Sequence, residues 1–329
     1  MRTAIARLPG HPDEACDLVA EAIVDEYMRR DPASRVRVSV SGGRGVMFVA
    51  GDVLSQADFD VSALVRRTLG SLGITDEVEP FVSLEPVTSE RVAAMQLATE
   101  LPMTVTGYAT NETDILLPKP VALARRVAVA LERLRESEAD CFWLGPDAEV
   151  VVCMETDGRT RVAIRVEHGV EPIETVRKIL AERLVSELDG ATLEVNPAGP
   201  CERRGLAGAT GSSGSARALY GSGLPSVTSG VGHDQRSLAK AGTWLARAAA
   251  IAAVNAGANA AFVTATYLPG EMRPIEFRIR DERGRDLSAT VPLESMSLER
   301  VVNEWMQPGV NGEALRGGCV GTPSLPWEA

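Results

Sequence analysis

One pattern recurs along this chain and constrains its fold more than any other feature: a helix, a pair of short strands, and a second helix. The first pass places a helix over 12–30, strands over 35–40 and 45–50, and a helix over 59–72. The second places helices over 119–136 and 173–188 around strands at 150–155 and 159–167, with a further strand at 192–195. The third places helices over 235–256 and 297–307 around strands at 260–267 and 273–280. Each pass takes about 110 residues, a structural repeat without obvious sequence identity. Antiparallel sheets with helices on one face satisfy it, which is an α+β plan.

Local chemistry supports these assignments. Pro12 suits the first turn of a helix, Asp13 and Glu14 suit its positive end, and Val19, Ala22, Ile23 and Tyr27 recur at helical spacing. Asp157-Gly158 is the strongest hairpin signal. One segment is compositionally odd: residues 205–232 hold eight glycines among many serines and threonines. Within it GATGSSGSAR, 208–217, offers backbone amides and Arg217 to a phosphate. It lacks the Gly-Lys-Ser/Thr ending of a P-loop, so a flexible or ligand-ordered loop is the better reading.

Charge and composition exclude several classes. With 34 Lys+Arg against 45 Asp+Glu and no basic block, the chain is a poor nucleic-acid binder. No apolar run is long enough to span a bilayer, and acids close behind the N-terminus argue against a secretory signal. Five dispersed cysteines without a CxxC suit reduced thiols, and a cytoplasmic location is expected. Only three cations are lysines (Lys119, Lys178 and Lys240), so a pocket needing several lysines has few to draw on.

Three motifs carry a resemblance. They are GHPDEACDLVAEAIVDEY at 10–27, GYATNETDILLPKP at 107–120, and PDAEVVV at 146–152 with its hairpin; the chain also ends near PWE at 326–328. Together they resemble the S-adenosylmethionine synthetase (methionine adenosyltransferase) family, end to end. The resemblance implies three repeated β-α-β-β-α-β-type domains in a pseudo-threefold arrangement, divided here as 1–98, 99–205 and 206–329. It also implies a sheet-to-sheet homodimer with active sites between subunits. The family's reaction is attack of methionine sulfur on C5′ of ATP, with triphosphate leaving. That chemistry needs positioning and cationic stabilisation more than proton transfer.

Part of the machinery carries over by resemblance. His11 matches a histidine beside the leaving oxygen, and Asp13 a magnesium-binding aspartate. Asp52 stands for a glutamate that contacts the methionine amino group, and Asp147 for an aspartate that holds the ribose hydroxyls. The rest is replaced. A family lysine becomes Glu149, the adenine-stacking phenylalanine falls at Cys201, and the glutamate of a potassium site falls at Ser39. The distal lysine run has His233, Asp234 and Gln235 as its nearest counterparts. Losing one donor to developing charge costs ~3–4 kcal/mol, so the missing cations argue against efficient triphosphate departure.

The leading expectation is an enzyme that keeps a methionine- or adenosyl-type pocket and runs a changed reaction. Its substrate-binding residues would be Asp52, Asp147, Arg217, His233 and Asp234, with His11 catalytic and Asp13 holding magnesium. One alternative is orthodox synthesis from ATP and methionine, with Arg203, Arg204, Arg217 and Arg236 replacing lysines. Another is a non-catalytic subunit paired with an active homologue. His168, between Glu167 and Gly169, reads as solvated. Asn111, Glu112 and Asp114 suit ligand contact and turn or interface duty equally.

Overall fold

The structure is a computed structural model describing residues 1–87, 102–215, 230–307, 309–317 and 319–329. Among these residues it is a mixed α+β fold with three sheets. The strands are β1 (Arg2–Arg7), β2 (Arg35–Gly43), β3 (Val46–Leu54), β4 (Glu79–Pro86), β5 (Met103–Thr110) and β6 (Ala148–Met154). They continue as β7 (Thr160–Val166), β8 (Thr192–Val195), β9 (Gly211–Ser212), β10 (Ala260–Tyr267) and β11 (Glu276–Asp281). The longer helices are α1 (Pro12–Arg30), α2 (Val61–Ser71), α3 (Lys119–Ser137), α4 (Ile173–Leu184), α5 (Leu238–Asn255) and α6 (Val310–Gly317).

Each sheet is built on one antiparallel hairpin: β2/β3, β6/β7 and β10/β11. Beside the first strand of each hairpin lies a strand from a distant part of the chain. β9 joins β2, β1 joins β6, and β5 joins β10, all antiparallel. The sheets are therefore not contiguous in sequence, and the exchanged strands link them in a ring of connections.

Two sheets depart from the all-antiparallel expectation. β4 runs parallel to β3 and β8 parallel to β7. The reason is connectivity: α2 lies between β3 and β4, and α4 between β7 and β8, the crossover that parallel neighbours require. The helix expected over 235–256 starts at Leu238, because Asp234 holds residues 234–237 in a turn through Arg236 N and Ser237 N. The helix expected over 297–307 is one α turn, Leu298–Arg300, followed by a π turn, Val301–Trp305, that buries both Val301 and Trp305.

Strand alternation gives each sheet one covered and one open face. Val36, Val38, Val40, Met47 and Val49 pack under α1 and α2, while Ser39, Ser41, Phe48 and Ala50 point outward. Val150 and Val152 lie under α3, leaving Arg7 and Glu149 outside as a cross-strand pair. Val105, Val263 and Ala265 lie under α5. Among the described residues no helix is long and apolar enough to cross a membrane.

Candidate functional site

The connection from β1 to α1 is fastened to the start of β6. Leu8 N donates to Ala148 O and Gly10 N to Pro146 O. This places His11, the N-cap of α1, beside Asp147 and Glu149. The His11 Nδ1 accepts from Asp13 N at 3.2 Å, so in the neutral ring the proton sits on Nε2. That nitrogen faces Glu149 Oε1 at 3.9 Å. Burial, reinforced by Arg7, lowers the His11 pKa, while Asp147, Glu149 and Asp13 oppose the shift. In the neutral ring Nε2–H is a donor that faces Glu149.

Two arginines neutralise the neighbouring acids. Arg7 Nε donates to Glu149 Oε1 at 3.1 Å, and its Nη1 lies 3.8 Å from Asp13 Oδ2. Arg204 Nε donates to Asp147 Oδ2 at 3.0 Å, and its Nη2 lies 3.7 Å from Glu149 Oε2. Gly205 N shares the same Asp147 oxygen at 2.9 Å. Burial pushes the Glu149 pKa up, but the Arg7 hydrogen bond, with His11 and Arg204 nearby, outweighs it and holds the group below its ordinary value. Two atoms remain buried without a hydrogen-bond partner among the described residues: Asp147 Oδ1 and Arg204 Nη1.

From Asp13 the acids continue along α1 at every fourth residue: Asp13, Asp17, Glu21 and Asp25. Four-residue spacing puts them on one face, yet Asp17 and Glu21 are buried. Each takes a backbone N–H. Ser212 N donates to Asp13 Oδ1, Gly214 N to Asp17 Oδ1, Gly232 N to Glu21 Oε1, and Gly312 N to Asp25 Oδ2. Lys240 adds an ion pair to Glu21 at 2.6 Å and donates to Asn311. Amides at Ser212 and Gly214 that a phosphate cradle would need are therefore spent on carboxylates. The approach is close: a Cβ at Gly211 would stand 2.1 Å from Pro12 O, and one at Gly232 would stand 1.9 Å from Val38 O.

A second group lies across β2. Asp52 on β3 is the register partner of Arg37, and His233 bridges the same residue from the other side. His233 Nδ1 contacts Ser237 Oγ at 3.0 Å. Burial, with Lys240 and Arg37 nearby, pulls its imidazole down to about 4. Asp234 is fully buried and its oxygens are engaged. Oδ2 accepts from Arg35 Nε and Val36 N, and Oδ1 from Arg236 N. It fastens the 230–237 turn to β2.

The other candidates separate clearly. Of the arginines named as substitutes for lysine, Arg204 reaches the site, Arg203 pairs with Asp76, and Arg236 donates to Ser34 O and Pro32 O. Arg217 lies outside the described residues. His168 corrects the solvated reading. It is buried, with Nδ1 against Glu171 O and Nε2 accepting from Cys201 N at 2.8 Å. Asn111 donates to Asn259, and Glu112 accepts from Arg2 and from Lys119 N. Arg7 and the α1 acids beyond Asp13, namely Asp17, Glu21 and Asp25, were not singled out from the sequence; four-residue spacing was the available signal for those acids.

The residues present do not fit a divalent ion at Asp13. One oxygen accepts from Ser212 N, the other faces Arg7, and the adjacent His11 Nδ1 is taken by Asp13 N. Among the described residues no group of three His, Cys, Asp or Glu side chains is arranged to hold a metal.

Comparison with known proteins gives concordant matches. The S-adenosylmethionine synthetase N-terminal domain matches residues 2–94, and the central domain of the same family matches residues 102–199. The S-adenosylmethionine synthase of Aquifex aeolicus (strain VF5) is 24% identical over 371 residues, covering 100% of this chain and 96% of that protein. That of Sorangium cellulosum (strain So ce56) is 30% identical over 220 residues, 58% of this chain and 52% of that protein. S-adenosylmethionine synthase 1 of Frankia casuarinae is 30% identical over 249 residues, 62% of each chain. The chain thus spans about half to three fifths of the latter two relatives.

Proposed function

This chain belongs to the S-adenosylmethionine synthetase family, and we propose that it binds a methionine- or adenosyl-type ligand, such as S-adenosylmethionine, and catalyses a changed reaction on it. The charge balance around His11 carries the reading. Three carboxylates, Asp13, Asp147 and Glu149, face two guanidiniums, Arg7 and Arg204, each of which is already shared between two acids. Triphosphate departure needs surplus positive charge at the leaving group. A sulfonium cation needs the opposite, and this site supplies it.

The two unpartnered atoms support a hydroxyl-bearing ligand. Asp147 Oδ1 accepts and Arg204 Nη1 donates, so a hydroxyl satisfies either. In the proposed reaction His11 is a hydrogen-bond donor through Nε2–H, within a ring held in that tautomer by Asp13 N. The Asp52–Arg37–His233 group is the proposed counterpart for the amino-acid end of the ligand. Asp234 serves there by holding the turn that carries His233.

The open sheet faces support a homodimer formed through them. Phe48 and Phe81 stack at 5.3 Å while about half exposed, and Ile5 and Phe262 point the same way on the other two sheets. One hairpin in each segment, β2/β3, β6/β7 and β10/β11, supports a division into three repeated domains at 1–98, 99–205 and 206–329, with β1, β5 and β9 exchanged across those bounds.

Incubation of the pure protein with S-adenosylmethionine, followed by mass spectrometry, tests the function. Consumption that His11→Ala abolishes is expected. Robust S-adenosylmethionine formation from ATP, Mg²⁺ and methionine would overturn the proposal and establish orthodox synthesis. That second reading is favoured by Arg204, an arginine placed where a lysine was lost, but it needs magnesium to displace Arg7 from Asp13. Inertness in both assays, with co-purification of an active homologue, would identify a non-catalytic subunit.

A further inference from the structure

We infer that Arg7 and Arg204 are the permanent counter-ions of this site and that Arg7 stands where a divalent cation would otherwise sit, so the protein binds its ligand without one. The inference rests on the changed-reaction reading, because orthodox synthesis would need magnesium at Asp13; metal uptake without substrate and turnover of S-adenosylmethionine test the two separately.

The placement of Arg7 comes from the backbone. β1 pairs with β6 so that Arg7 lies opposite Glu149, on the open face of the sheet, and the register fixes the guanidinium between two acids from different elements. Asp13 approaches from the first turn of α1, and Glu149 from β6. Two carboxylates brought this close repel each other unless a cation stands between them. The guanidinium is that cation, and it is never lost by deprotonation.

Arg204 repeats the arrangement one step along. It joins Asp147 to the same Glu149, so the acids and guanidiniums alternate in the order Asp13, Arg7, Glu149, Arg204, Asp147. Glu149 is the centre of this chain, accepting from Arg7 and facing Arg204. A lysine there would place a third cation beside two guanidiniums, so the acid at 149 suits the arginines at 7 and 204.

Magnesium would meet this arrangement badly. It demands near-octahedral oxygen ligands at about 2.0–2.1 Å and retains waters where the protein does not supply them. To take it, Asp13 would have to release Ser212 N and turn from Arg7, and the ion would then face a guanidinium that Glu149 holds beside it through Arg7 Nε at 3.1 Å.

The test uses the full chain and Mn²⁺ as the probe, with no substrate present. Electron paramagnetic resonance of free Mn²⁺ should show no saturable uptake by the wild type. Arg7→Ala should gain one saturable site per chain and a Mn²⁺-dependent rise in melting temperature, both removed by adding Asp13→Asn. Saturable uptake by the wild type that Asp13→Asn abolishes would overturn the inference. So would a folded Arg7→Ala protein that gains no site. If Arg7→Ala does not fold, the comparison of wild type with Asp13→Asn still decides.

Discussion

Arg204 and Asp147 are held together by one hydrogen bond, Nε to Oδ2 at 3.0 Å, while the outer nitrogen of one and the outer oxygen of the other have no partner among the described residues. Each group is thus half satisfied. An unmet buried polar atom costs about 1–3 kcal/mol, so a ligand hydroxyl that completes either valence gains from a deficit already present.

Removing Arg204 converts that deficit into an isolated buried charge. Arg204→Ala leaves Asp147, 1% exposed, with Gly205 N as its remaining donor. Loss of one partner of a buried pair costs roughly 3–5 kcal/mol. The expected outcome in urea denaturation is a loss of about 3 kcal/mol, with Arg204→Ala/Asp147→Asn recovering part of it. A loss under about 1 kcal/mol would mean that the ion pair contributes little.

Restoring the lysine of the family at position 149 should not restore synthesis from ATP. Glu149→Lys puts an ammonium where Arg7 donates at 3.1 Å and Arg204 lies at 3.7 Å. Three cations without their shared acid repel, and Asp13 and Asp147 cannot balance all of them. A lower melting temperature and no S-adenosylmethionine by mass spectrometry are expected. Appreciable product from this single variant would show that the charge reversal alone had silenced an otherwise intact synthetase.

Arg247 explains why two motifs so distant in sequence are kept together. Its guanidinium is fully buried and donates to Tyr108 O, Ile115 O and Leu116 O, the carbonyls of the GYATNETDIL stretch, and to both oxygens of Glu328. Beside it Trp327 stacks on Trp244 with ring centres 3.9 Å apart and donates to Cys319 O. Arg247→Ala should therefore cost on the order of 3–5 kcal/mol, and Arg247→Lys should recover less than half because an ammonium cannot span the carboxylate and the carbonyls together. Thermal melts that shift by only a degree or two would contradict this.

Such long connections mark the boundary of what could be read from residues alone. α1 was legible because its signals are local: Pro12, Asp13 and the apolar spacing from Val19 to Tyr27. The β6/β7 hairpin was legible from Asp157-Gly158. β1 and β5 were not assigned, because their partners β6 and β10 lie more than a hundred residues away and no short-range pattern encodes the pairing. Arg7 was overlooked for the same reason, since only the β1/β6 register carries it to Glu149. The acids at 13, 17, 21 and 25 stood in plain sight, but charged residues at helical spacing ordinarily form a solvated face. Here they face backbone amides, which the surrounding apolar sequence does not announce.

That inward acid face makes stability depend on pH. Asp17 is 2% exposed, and burial, with Glu14, Glu21 and Asp13 adding to it, raises its carboxyl to about 8 against the hydrogen bond from Gly214 N. Between the ordinary carboxylate pKa of ~3.9 and about 8 the folded chain holds a proton that the unfolded chain has released. Stability from this group is therefore full below about pH 4 and is lost as pH rises through 8. Glu14, at about 7, acts in the same direction. His233 opposes them on the acid side: its pKa is lowered to about 4, so its contribution is lost as pH falls from about 6.5 toward 4. Asp17→Asn keeps an acceptor for Gly214 N and removes the ionisation. It should be more stable than the wild type at about pH 8.5, by roughly 1–3 kcal/mol, and nearly equal to it at about pH 5. Denaturant titrations at the two pH values check this. A variant less stable than the wild type at the higher pH would show that Asp17 is ionised in the fold and that its charge, not its proton, holds Gly214 against α1.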